Sequence, residues 1–205
     1  VQTCALPIWG EIGDVPDDDV KLPGYAVLKL TVPEDWPLDD FEARVKAIAK
    51  ELRLRWAAAG LMFATFELAD LESADRVEYA NARRYPGYDL GTHLLRAQLF
   101  HRFIRSINWL TFLGPAMTEQ LDHLGKSPAS SARVQVSPFE GGLLLRAGPR
   151  PERGDLNRLQ VPAAYREADA LVRPIRHDGE RFTFPAPWDA ATSSRWIRRF
   201  ELQAG

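Results

Sequence analysis

The sequence predicts a mixed α/β protein of the α+β kind, in which helices pack on a single, largely antiparallel sheet. Two observations lead to this prediction. Short runs rich in β-branched and aromatic residues alternate with longer segments whose apolar residues recur at helical spacing. In addition, the segment Pro-Phe-Glu-Gly-Gly at positions 138–142 separates two strand-like runs. Such a segment is typical of a β-hairpin, and a hairpin joins antiparallel strands.

The first half of the chain is expected to contain two strands and two helices. Strands are predicted over Tyr25–Val32 and Leu61–Leu68, because both runs are rich in strand-forming residues. A helix is predicted to begin at Pro37 and to stop at Gly60, since apolar residues recur at helical spacing between them. These residues are Phe41, Val45, Ile48, Leu52, Trp56 and Ala59. A second helix is predicted over Leu71–Arg84, closed by a Pro-Gly turn.

The second half is expected to continue with strands and helices. Strands are predicted over Ile104–Leu113, Arg133–Ser137, Leu143–Ala147 and Arg181–Phe184. Helices are predicted over Pro115–Leu124, Pro162–Val172 and Thr192–Phe200. The segment Gly148–Gln160 is rich in Gly, Pro, Arg, Asp and Asn and is predicted to be a long ordered loop. In the last helix, Trp196, Ile197 and Phe200 are expected to face the core.

The composition is that of a globular protein with one hydrophobic core. The chain has 205 residues, of which 45% are hydrophobic and 26% are charged, so one domain is sufficient. No apolar run approaches the ~20 residues that a membrane-spanning helix needs. The single cysteine excludes a disulfide framework and a multi-cysteine zinc site. These features predict a cytoplasmic protein that does not act at a membrane.

Charge is distributed unevenly along the chain, although the net charge is only −2. Residues 1–80 carry 16 acidic and 8 basic side chains, whereas residues 81–205 carry 12 acidic and 18 basic side chains. Because a nucleic-acid-binding protein is usually basic, direct contact with nucleic acid is not expected. Asp17, Asp18 and Asp19 lie in the most acidic segment. They are candidates for binding a basic partner, and the alternative is a solvated, frayed terminus.

The first eight residues, Val1–Ile8, match the in-frame translation of codons that resemble the end of a sequencing-library adapter. The alternative is a short apolar leader, but the segment lacks the basic and apolar stretches of a signal peptide. We therefore predict three parts. Residues 1–8 are adapter-derived, residues 9–24 form an acidic and flexible lead-in, and residues 25–205 form a single domain that is truncated at its N-terminus.

Motifs for catalysis or for binding a metal or cofactor are missing from the sequence. There is no Gly-x-Ser-x-Gly nucleophile motif, and the four histidines lack the paired spacing of zinc ligands. Four arginines (Arg146, Arg150, Arg153 and Arg158) surround Glu152 and Asp155 in the predicted loop. The loop is either a polar site for a small molecule or an internal network of ion pairs and turns, in which Asp155 binds backbone amides or a nearby arginine.

Five sequence blocks, in order, resemble one protein family. They are Arg84–Asp89 (RYPGYD), Ile104–Gly114 (IRSINWLTFLG), Gly142–Asn157 (GLLLRAGPRPERGDLN), Val161–Arg176, which contains Tyr165 and ends in PIR, and Trp196–Phe200 (WIRRF). The chain is similar, from about Tyr25 to Phe200, to the type VI secretion immunity proteins of the TsiV kind. That family is thought to protect bacteria against VRR-Nuc nuclease effectors.

The resemblance implies a binding protein without catalytic residues, cofactor or small-molecule substrate, whose partner is a cognate effector toxin, a nuclease. Its motif residues are expected to be structural: Trp109, Phe112, Gly114, Gly148, Pro149, Gly154, Asp155, Asn157, Tyr165 and Trp196. Two other classes stay open at this point. One is an enzyme that uses the loop between Arg146 and Arg158, and the other is an adaptor protein of the secretion apparatus.

Overall fold

A computed structural model describes residues 2–11, 25–33, 35–63, 71–90, 103–179, 183–184 and 186–201. The strands of these residues are β1 (Gln2–Glu11), β2 (Tyr25–Pro33), β3 (Leu54–Phe63), β4 (Leu110–Leu113), β5 (Val134–Phe139) and β6 (Gly142–Ala147). The helices are α1 (Leu38–Lys50), α2 (Leu71–Ala82), α3 (Pro115–His123), α4 (Ala163–Val172) and α5 (Ala190–Ile197).

The six strands form one sheet in the order β2-β1-β3-β4-β6-β5, and neighbouring strands are antiparallel at every pairing. Helices α3 and α4 contact the sheet at β6. The predicted mixed fold with a largely antiparallel sheet is therefore confirmed. The sheet brings β4 next to β6, so two of the five sequence blocks are hydrogen-bonded neighbours although they lie far apart in the chain.

Strand β1 lies inside the sheet, between β2 and β3. Its backbone pairs from Thr3↔Pro33 to Glu11↔Tyr25 on one side and with β3 on the other. It includes residues 2–8 of the predicted adapter-derived segment and residues 9–11 of the predicted lead-in. The adapter origin of residues 1–8 is a statement about their codons, which a structure does not test, and it stays a prediction. Residues 12–24, with Asp17, Asp18 and Asp19, lie outside the described residues.

The long helix predicted from Pro37 to Gly60 is wrong in its second half. Helix α1 ends at Lys50, and the chain then enters β3, which is buried on both faces around Trp56. A run of consecutive buried residues contains apolar positions four apart just as a helix does, so the spacing did not distinguish the two. Gly60 lies within β3, where a Cβ would overlap the side chain of Asn108.

The strand predicted over Ile104–Leu113 is also shorter than expected, because only Leu110–Leu113 pairs as β4. The residues before it are buried but irregular, and the side chain of Asn108 satisfies the backbone there. Its carboxamide oxygen accepts the N–H of Trp109 at 2.8 Å, and its Nδ2 donates to the carbonyl of Leu61 at 3.0 Å. Bonds from a side chain to the backbone therefore replace the regular ladder in this segment.

Most of the remaining elements agree with the prediction, and of the strand predicted over Leu61–Leu68 the described residues 61–63 form the end of β3. The β5–β6 hairpin turns at Glu140 and Gly141, whose φ values of 44° and 80° are those of a type I′ turn. Helix α5 begins at Ala190, two residues earlier than predicted, behind a capping box formed by Asp189 and Thr192. Trp196, Ile197 and Phe200 are buried, as predicted. Of the strand predicted over residues 181–184, the structure describes residues 183–184, which are not in a strand. Residues 181–182 lie outside the described residues.

The outer edge of the sheet at β5 is partly covered by the two serines of the segment that precedes the strand. Ser130 Oγ accepts the N–H of Val136 and donates to the carbonyl of the same residue. Ser131 Oγ accepts the N–H of Val134, and the backbone N–H of Ser131 donates to the carbonyl of Val134. Pro138, two residues further along the same edge, has no N–H to offer. An extended peptide would therefore find no free backbone N–H donor at these three positions.

Within the described residues, none of the helices has both the length and the apolar character required to cross a bilayer.

Candidate partner-binding surface at the arginine-rich loop

The loop Gly148–Gln160 leaves β6 and returns to α4 as an ordered structure that closes on itself at Asp155. The backbone N–H of Asp155 donates to the carbonyl of Gln160 at 2.8 Å, and the N–H of Gln160 donates back to the carbonyl of Asp155 at 2.9 Å. Residues Leu156–Arg158 form a 3-10 turn between these two bonds, and the Asp155 carboxylate accepts the N–H of Asn157. The tip of the loop is thereby held in one conformation.

The carboxylate of Asp155 is bound by an arginine from outside the loop. Arg84 Nε and Nη2 donate to its two oxygens at 3.1 and 2.9 Å, whereas Arg158 of the loop lies 3.8 Å away. The Arg84 hydrogen bonds lower the pKa of Asp155 below its usual range. We expected Asp155 to bind a backbone amide or an arginine of its own region; it binds an amide, and its bidentate arginine comes from the Arg84–Asp89 block.

The backbone of the Arg84–Asp89 block is attached to the same loop. The N–H of Gly87 donates to the carbonyl of Arg153, and the N–H of Leu156 donates to the carbonyl of Arg84, both at 2.8 Å. Gly87 approaches the loop so closely that a Cβ would overlap the backbone carbonyl of Glu152. Glycine at this position therefore allows two distant blocks to pack backbone against backbone.

Two aromatic side chains, Trp109 and Tyr165, form hydrogen bonds with the backbone of the loop. The indole N–H of Trp109 donates to the carbonyl of Gly148 at 3.1 Å. The hydroxyl of Tyr165, on α4, accepts the N–H of Glu152 at 3.3 Å and donates to Asn108 Oδ1 at 3.3 Å. The Ile104–Gly114 block and the Val161–Arg176 block thus both contact the loop.

The fifth block reaches this network through Arg199, which is buried. Arg199 Nε donates to the carbonyl of Pro86 and Nη2 donates to Ser106 Oγ, both at 2.7 Å, while the guanidinium stacks 3.7 Å from the ring centroid of Trp196. Burial lowers the pKa of Arg199 to about 9, so the group is still charged at neutral pH. All five blocks therefore meet in one hydrogen-bonded network beneath the loop.

The other predicted motif residues lie in or next to this network. Phe112 is buried in β4 and packs edge-to-face on Phe139. Gly114 donates its N–H to the carbonyl of Arg55 and precedes α3. Pro149 accepts a bond from Arg146, and Gly148 and Gly154 have φ values of 86° and 64°, which favour glycine.

Sequence reasoning missed several polar members of the network, including Arg84, Asn108 and Arg199. It also missed the ion pair of Arg105 and Asp89, which are at most 1% exposed and lie 2.7 Å apart. The only sequence signal for such a buried polar residue was a charged side chain inside an otherwise apolar block, as at Arg105. That signal does not reveal its partner, because each partner comes from a distant part of the chain.

The outward side of the loop carries exposed cations. Arg150, Arg153 and Arg158 are exposed, and so is Leu159 between Arg158 and Gln160. A cavity of about 590 Å³ lies against the loop and is also lined by Tyr88. Among the described residues, no three His, Cys, Asp or Glu side chains are grouped so that they could hold a metal ion. We define the loop surface as residues 150–160.

Comparison with known proteins identifies the family to which the chain belongs. A family model described as TsiV, type VI immunity for VRR-NUC, matches residues 13–200. The chain therefore belongs to the TsiV family of type VI immunity proteins.

The fold is similar to that of the Pseudomonas aeruginosa T6SS protein PA0821, with a TM-score of 0.64 and 23% sequence identity. The match covers 86% of this chain and 53% of that protein, so the chain spans about half of the length of the structure it resembles. At this identity the likeness shows the shared fold. No curated protein sequence matches the chain.

Replacing Asp155 by asparagine is expected to lower the melting temperature at neutral pH, because Arg84 loses its charged partner. The pKa of the folded carboxylate is lowered relative to the unfolded value of about 3.9. The stabilisation is therefore complete above that value and is lost as the pH falls through the folded pKa. Thermal melts between pH 7 and pH 2 should show a difference between wild type and Asp155→Asn that shrinks in acid.

Glu119→Gln is the control for this prediction, since Glu119 is exposed and pairs only with His123 on the same helix among the contacts described. It should melt like the wild type at pH 7. A difference between Asp155→Asn and wild type that grows in acid would contradict the assigned role of the Arg84–Asp155 pair.

Proposed function

We propose that this protein binds a cognate type VI secretion toxin, a nuclease, and neutralises it in the bacterial cytoplasm by stoichiometric occlusion. The observation that supports this function is that the polar groups of the five family blocks are bonded inside the protein. Their polar groups, among them Asp155, Tyr165 and Arg199, bind one another or the backbone beneath the loop. A set of motif residues committed to internal bonds suits a rigid binding surface better than a site that must bind and release a substrate.

Rigidity is what a neutralising protein requires at its contact surface. Association costs less when loops and side chains are already ordered, because less conformational entropy is lost on binding. Tight one-to-one complexes usually bury ~1,200–2,000 Å² of surface. Such an interface would cover the active cleft of a nuclease or the path of its substrate, and neutralisation then requires neither a cofactor nor turnover.

The acidic half of the chain is a second element of the proposal. Within residues 35–63 acidic and basic side chains are equal in number, five of each, so the acid excess of residues 1–80 comes from other segments. Asp17, Asp18 and Asp19 remain our candidates for contacting a basic partner. Acidic residues near the interface would speed association with a basic nuclease, and this effect would weaken as salt rises.

Co-expression with a cognate VRR-NUC nuclease, to be sought among the genes that neighbour this one, tests the proposed function. Because each toxin molecule must be occupied, we expect survival to rise with the amount of this protein and to saturate near a one-to-one ratio. A purified mixture should contain a one-to-one complex by light scattering. An unrelated protein expressed to the same level serves as the control.

Survival at strongly substoichiometric amounts would point to an enzyme that inactivates the toxin and would contradict occlusion. Recovery of secretion-apparatus components without the nuclease would instead indicate an adaptor.

A further inference from the structure

Leu159 has an unusual conformation at the tip of the loop surface. This residue is 68% exposed, more than any other large apolar residue whose side chain the structure describes. Its backbone is left-handed, with φ at 55° and ψ at 29°. A single exposed leucine is common on protein surfaces, but a left-handed non-glycine residue carries a backbone cost that glycine or asparagine would reduce. Leucine at this position therefore carries a backbone cost that burial of its side chain does not offset.

The surrounding structure holds Leu159 in this conformation. The N–H of Leu159 donates to the carbonyl of Leu156 at 3.1 Å, inside the loop that Asp155 and Gln160 close. The carboxylate of Asp155 is in turn bound by Arg84, which belongs to another block. Strained residues that persist because their surroundings impose them occur preferentially at functional sites. The network beneath the loop thus presents an apolar side chain to solvent in a defined position.

The side chains around Leu159 are mainly cationic. Arg158 is next to it, with 70% of its side chain exposed, and its nearest described carboxylate is Asp155 at 3.8 Å, which Arg84 already neutralises. Arg150 and Arg153 are exposed on the same loop, where Glu152 is the one exposed acid between residues 150 and 160. An apolar tip among exposed arginines is complementary to an apolar depression bordered by carboxylates.

We infer that residues 153–160 form the contact that inserts into the partner protein, with Leu159 as the apolar anchor and Arg158 and Arg153 pairing with acidic side chains around it. The inference rests on the proposed function and specifies the part of this chain that makes the contact. The recognised feature is an apolar pocket with an acidic rim, as a carboxylate-bearing active cleft would provide.

Nucleic acid fits this surface less well. Phosphate backbones are recognised by several cations without an apolar anchor, and they favour a protein with a net positive charge. Here the chain carries a net charge of −2 and places a leucine at the centre of the surface. A protein partner is therefore the better match, and DNA binding is one of the outcomes that the experiment distinguishes.

The test measures binding of full-length variants to a catalytically inactive form of the nuclease that the co-expression experiment identifies as the cognate toxin. Leu159→Asn should weaken the complex by about tenfold or more, while its melting temperature stays equal to or above that of wild type, because asparagine tolerates the left-handed conformation. Arg158→Glu should weaken the complex to a similar extent. The matched control is Leu124→Asn, since Leu124 is also exposed, at 51%, but has ordinary backbone angles.

Opposite effects of Leu159→Asn on stability and binding would support the inference, because a purely structural leucine would not produce them. Wild-type binding with unchanged affinity for Leu159→Asn and Arg158→Glu would overturn it and leave the proposed function intact. The inference would also be overturned if changing Asp17, Asp18 and Asp19 to lysine abolished binding while the Leu159 and Arg158 variants still bound like the wild type. Loop-dependent binding to a DNA duplex would also overturn it. Failure of the wild type to bind the nuclease would refute the proposed function, and the inference with it.

Discussion

Replacing Trp109 by alanine is expected to lower the free energy of unfolding by about 3–5 kcal/mol, the usual cost of removing a large aromatic side chain from a core. Trp109 is fully buried immediately before β4, and its ring stacks on Phe41 of α1 with centroids 6.3 Å apart. Its indole N–H also binds the carbonyl of Gly148 at the start of the loop. The substitution would leave a cavity between α1 and the sheet and an unpaired carbonyl under the loop.

Urea denaturation of wild type and variant, followed by circular dichroism, measures this difference. Trp109→Phe should be intermediate, because it keeps an aromatic ring against Phe41 and loses only the hydrogen bond and part of the volume. Leu124→Ala, at an exposed position, should change the midpoint little. An unchanged midpoint for Trp109→Ala would show that the Ile104–Gly114 block does not determine the fold.

Replacing Arg199 by alanine should be similarly costly, at about 3–5 kcal/mol, because removing a buried, bonded charge leaves its partners unsatisfied. The carbonyls of Pro86 and Trp196 would each lose a donor, and so would the hydroxyl of Ser106. The stacking of the guanidinium on Trp196 would be lost as well. The Arg84–Asp89 block would then be detached from the C-terminal block, so the loop above should become more mobile.

Arg198 supplies a matched control, since it precedes Arg199 in the chain but is exposed and pairs with Glu201. Arg198→Ala should cost no more than about 1 kcal/mol, as is usual for an exposed ion pair. The prediction for Arg199 is tested by comparing the two unfolding midpoints and by hydrogen exchange in the loop. Equal midpoints for the two alanine variants would show that the buried guanidinium does not hold the blocks together.

Local patterns in the sequence were sufficient for much of the fold. The β5–β6 hairpin, α3 behind Pro115 and the inward face of α5 all follow from turn residues, helix-start signals and apolar spacing. These elements are short, and the residues that determine them are neighbours in the chain. The ordered blocks also placed the chain in its family, because the residue types and their order are themselves properties of the sequence.

The division between α1 and β3, and the polar network beneath the loop, were decided by tertiary structure. The segment around Trp56 is a strand because β1 and β4 pair with its two edges while its side chains are buried on both faces, and no local pattern distinguishes that environment from a helix. Arg84 binds Asp155 across 71 positions of the chain, and Arg199 binds Pro86 across 113. Such partners are chosen by where the folded backbone brings buried charges together. The sequence therefore determined which residues matter for this protein, whereas the tertiary structure decided what each of them binds.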